Sequence, residues 1–197
     1  MRRLIVIAVF ALFTLSACKT PPRLPDLINI TANDQRLIAM THWNLSGRLA
    51  FKSEQESFSA YLRWQQRGDD YNLVLSNLVG VTLLSLSVNE GIVTLEADGE
   101  IYQHNDAETL IYEVSGWPIP VADMQFWVKG IARQNDIVRR NQQGLIEQLQ
   151  VLDNSPQWQV DYTQYTQSQE TVLPQLLTIR QQQNLSLKLK VNQWEIL

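Results

Sequence analysis

Alternation of apolar and polar residues with a period of two constrains this chain more than any other feature. It is clearest over Tyr71–Val88, where two alternating runs are separated by the short break Ser76–Gly80. A period of two predicts half-buried β-strands. The same alternation, interrupted by short turns, extends over residues 43–103. This part of the chain is therefore predicted to form six antiparallel strands in a meander.

The break between the two runs has an unusual composition. Asn77 and Gly80 are typical turn residues, but Leu78 and Val79 occupy the tip between them. Hairpin tips are normally polar, because their backbone groups need water. The apolar pair either packs beneath another element or is directed at an apolar partner, and the pattern alone leaves both interpretations open.

The periodicity becomes helical over Ala107–Ser115 and again from Val121, on either side of the helix breaker Gly116–Pro120. A short helix is also predicted earlier, over Thr31–Thr41, with Thr31 or Asn33 as its cap. After the paired helices, strands are predicted at 137–140, 145–152, 158–162, 175–182 and 185–191. The residues 163–173 are predicted to form a polar connection. The expected total is eleven strands.

An antiparallel sheet of this size must curl strongly to bury its apolar face. We therefore predict a mainly β fold, an unclosed and strongly curved antiparallel barrel of about eleven strands. The two helices inserted after the sixth strand are expected to cover its concave face as a lid. The apolar residues expected to face inward from the two walls are Trp64, Leu84, Leu86, Ile111, Met124, Trp127 and Leu187. They form either a filled core, which is the commoner outcome, or an apolar pocket.

The N-terminus has the features of a bacterial lipoprotein signal. Arg2 and Arg3 precede the apolar run Leu4–Phe13, and Leu15-Ser16-Ala17 stands directly before Cys18, the only cysteine. We predict a signal peptide over 1–17 that is removed. We expect Cys18 to carry a diacylglyceryl thioether and an N-acyl chain, because more than one acyl chain is needed for stable anchoring.

The segment that follows Cys18 is predicted to connect the anchor to a single domain. Residues 18–30 contain three prolines and are expected to form an extended tether. Residues 31–197 are expected to form the single domain. In lipoproteins of this class, an Asp after the cysteine commonly marks retention in the inner membrane. Lys19 takes that position here, which favours the outer membrane.

Charge and motif content argue against other functions. Without Arg2 and Arg3 the chain has 14 basic and 20 acidic residues, a net charge of −6, and it has no basic run, so nucleic acid is not an expected partner. His42 and His104 lack the spacing of metal ligands, and no nucleophile elbow or phosphate-binding loop is present. We therefore expect no catalytic residue, no metal and no cofactor other than the covalent lipid on Cys18.

Taken in order, several segments resemble the LolB family of outer-membrane lipoprotein receptors. They are the lipobox at Cys18, Gly47–Phe51, Trp64–Gln66, Asn77–Gly80, Gly116–Pro120, Trp127–Gly130 and Ile179–Val191. The resemblance implies an unclosed barrel with a helical lid and an apolar cavity that holds the acyl chains of lipoproteins. It implies that triacylated lipoproteins arrive from the soluble periplasmic carrier LolA and are released into the inner leaflet of the outer membrane. It also implies a monomer that faces the periplasm.

The family also implies a protruding hairpin leucine that promotes release, within the loop Leu78, Val79 and Gly80. Val79 takes that leucine's position, because this chain has Asn77-Leu78-Val79-Gly80 where the family often has Asn-Pro-Leu-Gly. The alternative function is a lipid-anchored periplasmic scaffold, or protein-binding module, with a filled core.

The lipid anchor is testable by mass. We expect the mature protein to begin at Cys18 and to exceed the mass of the unmodified chain by a diacylglyceryl group and an acyl chain. Intact-protein mass spectrometry of the detergent-extracted protein measures this difference, and the variant Cys18→Ala is the control. A mature protein with the mass of the unmodified polypeptide would refute the prediction.

Overall fold

A computed structural model describes residue 24 and residues 28–152, 157–181 and 184–197. The predicted signal peptide 1–17, Cys18 and most of the tether lie outside the described residues, as do the predicted turn at 153–156 and Gln183. The described helices and strands lie between residues 30 and 196. No helix in the described part of the chain has the length and apolar character needed to cross a membrane.

Eleven antiparallel strands form one sheet, as the alternation predicts. The strands are β1 (His42–Ser53), β2 (Ser57–Arg67), β3 (Asp70–Ser76), β4 (Thr82–Asn89), β5 (Ile92–Ala97), β6 (Glu100–His104), β7 (Ile137–Arg140), β8 (Ile146–Val151), β9 (Trp158–Ser168), β10 (Thr171–Gln181) and β11 (Leu185–Ile196). Their order is β6-β5-β4-β3-β2-β1-β11-β10-β9-β8-β7. The first and last strands therefore pair at the centre, while β6 and β7 are the edges of an unclosed, curled sheet.

Strand β1 shows how the alternation places the core. Trp43, Leu45 and Leu49 are buried on the concave face, and Arg48 is exposed on the other face. Gly47 is required by close packing, since a Cβ at this position would lie 2.4 Å from the carbonyl oxygen of Lys190 on β11. The register of the β1–β11 pair shifts at this point, between Ser46 and Gly47.

Three helices accompany the sheet: α1 (Ile30–Ala39), α2 (Ala107–Ser115) and α3 (Val121–Trp127). Helices α2 and α3 connect β6 to β7, the two opposite edges, so this connection crosses the open concave face. Leu110 and Ile111 of α2 and Met124 and Trp127 of α3 are buried in the same apolar cluster as the strands. The predicted lid is confirmed, and the lid is defined from here on as α2, α3 and residues 116–120 between them.

The predicted helix caps need correction. Helix α1 begins at Ile30 and is capped by Asn29, whose side chain accepts a hydrogen bond from the Ala32 amide at 3.0 Å. The predicted cap Asn33 is buried instead, and it exchanges two hydrogen bonds with the backbone of Val172 on β10. A buried carboxamide needs such partners, so tertiary pairing outweighs the local capping signal at Asn33.

The second helix starts at Ala107, as its periodicity predicts. The spacing of Asn105 and Glu108 matches a capping box and predicts Asn105 as the cap, but this prediction is wrong by one residue. Asp106 is the cap of α2, and its carboxylate accepts a hydrogen bond from the Thr109 amide at 2.8 Å. Hydrogen bonds from Thr109 hold the pKa of Asp106 below its usual value. An ionised carboxylate at this position also interacts favourably with the helix dipole.

The polar connection predicted over 163–173 is wrong. Strand β9 continues to Ser168, and β10 begins at Thr171 after a tight turn in which Gln169 has a φ of 53°. The end of β9 is mostly polar, and the first four residues of β10 are all buried, so neither stretch shows the alternation that predicts a strand. Pro174 is accommodated because the β9–β10 register is irregular beside it.

A buried lysine ties the end of the lid to α1. Lys129 follows α3, and its Nζ donates hydrogen bonds to the carbonyl oxygens of Leu37 at 3.3 Å and Met40 at 3.0 Å. These carbonyls lie at the C-terminus of α1, where a cation is favoured by the helix dipole. Burial lowers the pKa of Lys129, so its contribution to stability increases with pH between its folded and unfolded pKa values.

Burial raises the pKa of the phenols of Tyr71, Tyr162 and Tyr165 above the usual value. Tyr162 is fully buried, and its hydroxyl donates a hydrogen bond to the carbonyl oxygen of Trp127 at 2.9 Å. A raised folded-state pKa means that the unfolded chain loses this proton first. The contribution of each buried phenol to the free energy of unfolding is therefore fully present below about pH 10, the pKa of tyrosine in the unfolded chain. It is lost as the pH rises above that value.

We therefore predict alkaline destabilisation. The free energy of unfolding should fall above pH 10, by up to about 1.4 kcal/mol per pH unit for each buried phenol. Urea unfolding of the chain starting at Lys19, measured from pH 8 to pH 11, tests this. Tyr162→Phe should show a shallower decline than the parent, and the exposed Tyr112, changed to Phe, is the matched control. Equal declines for Tyr162→Phe and the parent would contradict the prediction.

Candidate functional site

The β3–β4 turn presents an apolar surface to solvent. Leu78 is 73% exposed and Val79 is 84% exposed, and Val81 and Leu83 beside them are also exposed. Of the two interpretations left open by the sequence, packing beneath another element is therefore excluded. Residues 77–81 are called the tip from here on. An exposed apolar group of this kind is typical of a binding surface or a membrane contact.

A side chain within the tip fixes its backbone. The Asn77 carboxamide oxygen accepts hydrogen bonds from the amides of Val79 and Val81, both at 3.0 Å. The Gly80 amide donates to the Asn77 carbonyl at 3.1 Å, and Gly80 has a φ of +87°, which glycine adopts without strain. The conformation thus depends on Asn77 and Gly80, while the side chains of Leu78 and Val79 take no part in it.

The chain contains a polar counterpart of the tip. In the β7–β8 turn, Asn141 accepts hydrogen bonds from the amides of Gln143 and Leu145, and Gly144 has a φ of +82°. The backbone bonds from Gly144 and Asn141 also match those of the tip. Because Gln142 and Gln143 occupy the two central positions there, this turn geometry does not require apolar residues. The composition of the tip therefore needs a reason other than folding.

The seven residues predicted to face inward come together in one apolar cluster formed by the sheet and the lid. Trp64, Leu86, Ile111, Met124, Trp127 and Leu187 are buried, and Leu84 is partly buried against them. Trp64 and Trp127 are at most 1% exposed. The concave wall and the lid are thus both apolar and in contact with each other.

Two connections hold the lid against the sheet. At the end of α3, Trp127 accepts the hydrogen bond from Tyr162 of β9, and its ring lies 6.1 Å from that of Trp158. In the linker, the indole of Trp117 donates a hydrogen bond to the Glu56 carboxylate at 2.9 Å and packs edge-on against Phe51, with ring centres 5.2 Å apart. The lid is therefore fastened to β9 and to the β1–β2 hairpin.

The lid also carries the buried acidic residue Asp123 and the half-buried Glu108. Burial, together with the neighbouring carboxylate of Asp123, raises the pKa of Glu108. Asp123 forms an ion pair with Arg133 at 2.5 Å, and the Arg133 guanidinium lies 5.1 Å from the centre of the Phe126 ring. Among the described residues no three His, Cys, Asp or Glu side chains are grouped as metal ligands would be. The arrangement supplies two apolar surfaces, the concave face of the sheet and the inner face of the lid.

Several features of the site lay beyond the sequence analysis. The pattern of Gly116–Pro120 predicts a helix breaker, and nothing in it identifies Glu56 as the partner of Trp117. Nothing local to Lys129 indicates that its side chain is buried against the end of α1. The exposure of Val81 and Leu83 had no signal, because both residues suit a buried strand.

The sequence comparisons agree on one family. The family model described as "Outer membrane lipoprotein LolB" matches residues 41–194. The outer-membrane lipoprotein LolB of Aeromonas hydrophila is 39% identical over 186 residues, covering 94% of this chain and 93% of the relative. That of Tolumonas auensis is 33% identical over 189 residues, covering 95% and 94%.

Solved structures show the same fold at low sequence identity. A putative outer membrane lipoprotein-sorting protein domain from Vibrio parahaemolyticus has a TM-score of 0.56 at 10% identity, covering 84% of this chain and 91% of that chain. A LolA superfamily protein from Nitrosomonas europaea has a TM-score of 0.53 at 6% identity, covering 85% and 91%. With the curled sheet, the helical lid and the sequence matches over nearly the full length, this chain belongs to the outer-membrane lipoprotein LolB family.

Proposed function

We propose that this chain is a non-catalytic receptor that accepts acylated lipoproteins between its sheet and lid and releases them into the outer membrane. The observation that carries the proposal is the solvent-exposed apolar tip, whose turn geometry does not require apolar side chains. The proposed anchor on Cys18 keeps the receptor at the inner leaflet, facing the periplasm. The tip then gives it a second, reversible contact with the bilayer, beside the place of delivery.

The energetics of an acyl chain favour direct transfer between apolar surfaces. Burial of one CH₂ group is worth about 0.8 kcal/mol, so a long acyl chain is held out of water by roughly 10 kcal/mol or more. Transfer is therefore proposed to proceed from the cavity of a soluble LolA-type carrier to this protein without passage through water. The fold shared with a LolA superfamily protein supports such a partnership.

Loading requires the lid to move away from the sheet. The buried indoles of Trp64 and Trp127 mark the surfaces that an acyl chain would occupy. The bonds of Trp117 to Glu56 and of Tyr162 to Trp127 are the polar contacts that opening would break. An ordinary hydrogen bond contributes only about 1 kcal/mol, so these contacts are weak relative to the burial of an acyl chain.

Release is proposed to depend on the apolar side chains of the tip. Burial of Leu78 and Val79 in lipid is worth about 3–4 kcal/mol. That is enough for transient docking and too little for permanent anchoring, which is left to Cys18. We predict that the double variant Leu78→Gln, Val79→Gln folds and loads cargo like the parent, but loses at least tenfold in binding to neutral phosphatidylcholine vesicles and in cargo release into them.

This variant gives the tip the central residues of the β7–β8 turn, so it removes apolar surface while keeping a turn that the same chain already uses. The chain starting at Lys19 is tested by vesicle flotation and by transfer of a triacylated lipoprotein into vesicles. Asn77→Ala removes two hydrogen bonds and should show a smaller loss, because the apolar side chains remain. The matched control adds Gln142→Leu, Gln143→Val to the tip variant, which moves the same two apolar side chains to the β7–β8 turn. This four-residue variant should not recover cargo release, because the apolar pair is then in the wrong turn.

Two results would reject the proposal. Release by the double tip variant at the rate of the parent would show that the tip is not the docking element. Failure of the parent chain to bind a triacylated lipoprotein at all would favour the alternative, a lipid-anchored scaffold with a filled core. Mass spectrometry of lipids and proteins that co-purify with the chain is an independent measurement of whether it binds acylated cargo.

A further inference from the structure

The four central strands of the sheet carry a charge opposite in sign to that of the whole chain. The four central strands β2, β1, β11 and β10 contain seven basic residues and one acidic residue, Glu195. The complete chain, in contrast, has a formal net charge of −4. Basic residues are therefore concentrated on these strands, while acidic residues lie mainly elsewhere.

Strand register places four of these cations together. Arg63 of β2, Arg48 of β1, and Lys188 and Lys190 of β11 are exposed, at positions that alternate with buried residues. Arg48 and Lys190 are directly opposite one another in the β1–β11 pair. We call these four residues the basic face. Within the part of the chain that the structure describes, none of the four forms an ion pair with a carboxylate.

This arrangement has an electrostatic cost in the isolated protein, since like charges directly opposite in a sheet repel one another. Arg180, the nearby cation of β10, differs because it is paired with Asp161 on β9. The Arg48 guanidinium is held over the ring of Tyr61, 4.9 Å from its centre, and donates a hydrogen bond to the Tyr61 hydroxyl. The cations of the basic face are thus left available for an external anion.

The basic face lies beside the tip. Ser76, which immediately precedes the tip, pairs with Tyr61, and Tyr61 pairs in turn with Arg48. Arg48 and Lys190 are therefore two and three strands from the base of the tip, about 10 and 14 Å away at the usual strand spacing. Lys188 pairs with Ala50, two residues nearer the end of the sheet that carries the tip.

We propose that the basic face binds the phosphate groups of anionic lipids when the tip enters the bilayer. The inference rests on the proposed docking of the tip. Insertion of Leu78 and Val79 into the hydrocarbon would bring the adjacent cations to the level of the head groups, which extend roughly 5–7 Å beyond each side of the hydrocarbon core. The tip provides apolar affinity for any bilayer, and the basic face selects a negatively charged one and orients the receptor on it.

The test separates these two contributions. The chain starting at Lys19 is floated with vesicles of phosphatidylcholine alone and with vesicles containing one third phosphatidylglycerol, at low and at high salt. Each cation near an anionic surface is expected to strengthen binding about fivefold at low salt. Lys188→Gln, Lys190→Gln should therefore lose about 25-fold in affinity for the anionic vesicles, with no change on neutral vesicles. High salt should remove the difference, because it screens exposed charges.

The matched control is Arg36→Gln, Arg139→Gln, which removes the same charge from α1 and β7, where both arginines are paired with carboxylates. It should bind anionic vesicles like the parent. Equal losses of affinity in the control and the test variant would show that binding depends only on the net charge of the protein, and would overturn the proposal. Weaker transfer from a carrier protein with unchanged vesicle binding would assign the face to that carrier and also overturn it. Binding of the parent chain to neutral vesicles depends on the tip alone. Its absence would therefore contradict the proposed function, whereas the difference between anionic and neutral vesicles tests the basic face.

Discussion

The pairing of the first strand with the last determines the rest of this structure. Because β1 and β11 lie side by side at the centre of the sheet, the two halves of the chain extend outward from them to the edge strands β6 and β7. The chain must then connect two edges that lie on opposite sides of a curled sheet. The direct route crosses the concave face, and the amphipathic helices α2 and α3 occupy that route. The close approach at Gly47, where a side chain would collide with the backbone of Lys190, belongs to the same central pair.

A lid built in this way is attached at both ends and held by few polar contacts. Its apolar residues pack on the sheet, while Trp117 and Trp127 fasten it through hydrogen bonds to Glu56 and from Tyr162. Apolar packing is non-directional, so the proposed acyl-chain ligand would replace the lid's contacts with the sheet by contacts of the same kind. Lys129, bound to the end of α1, keeps the C-terminal end of the lid in place. Movement is therefore expected to be greatest in α2 and the linker.

Much of this architecture followed from the sequence, because alternation reports which face of a strand is buried. The strand count, the two lid helices and the inward position of Trp64 and Leu187 all come from that signal. The signal failed for residues 163–173, because the end of β9 is mostly polar and the start of β10 is buried at every position, so neither stretch alternates. The alternation also does not decide whether Leu78 and Val79 are buried or exposed. Their exposure depends on which elements lie near the turn, and these elements are distant in sequence. Contacts distant in sequence, such as those of Asn33 and Trp117, have no local signature.

The similarity of the two turns built on Asn77 and Asn141 has an evolutionary consequence. In each, the carboxamide oxygen and the following glycine specify the backbone, and the two intervening side chains are left unconstrained by the fold. If the tip docks on a bilayer as proposed, mutations at positions 78 and 79 change the strength of that contact at almost no cost in stability. Selection would then adjust the proposed contact to membranes of different lipid composition through two codons, while the remainder of the gene is preserved.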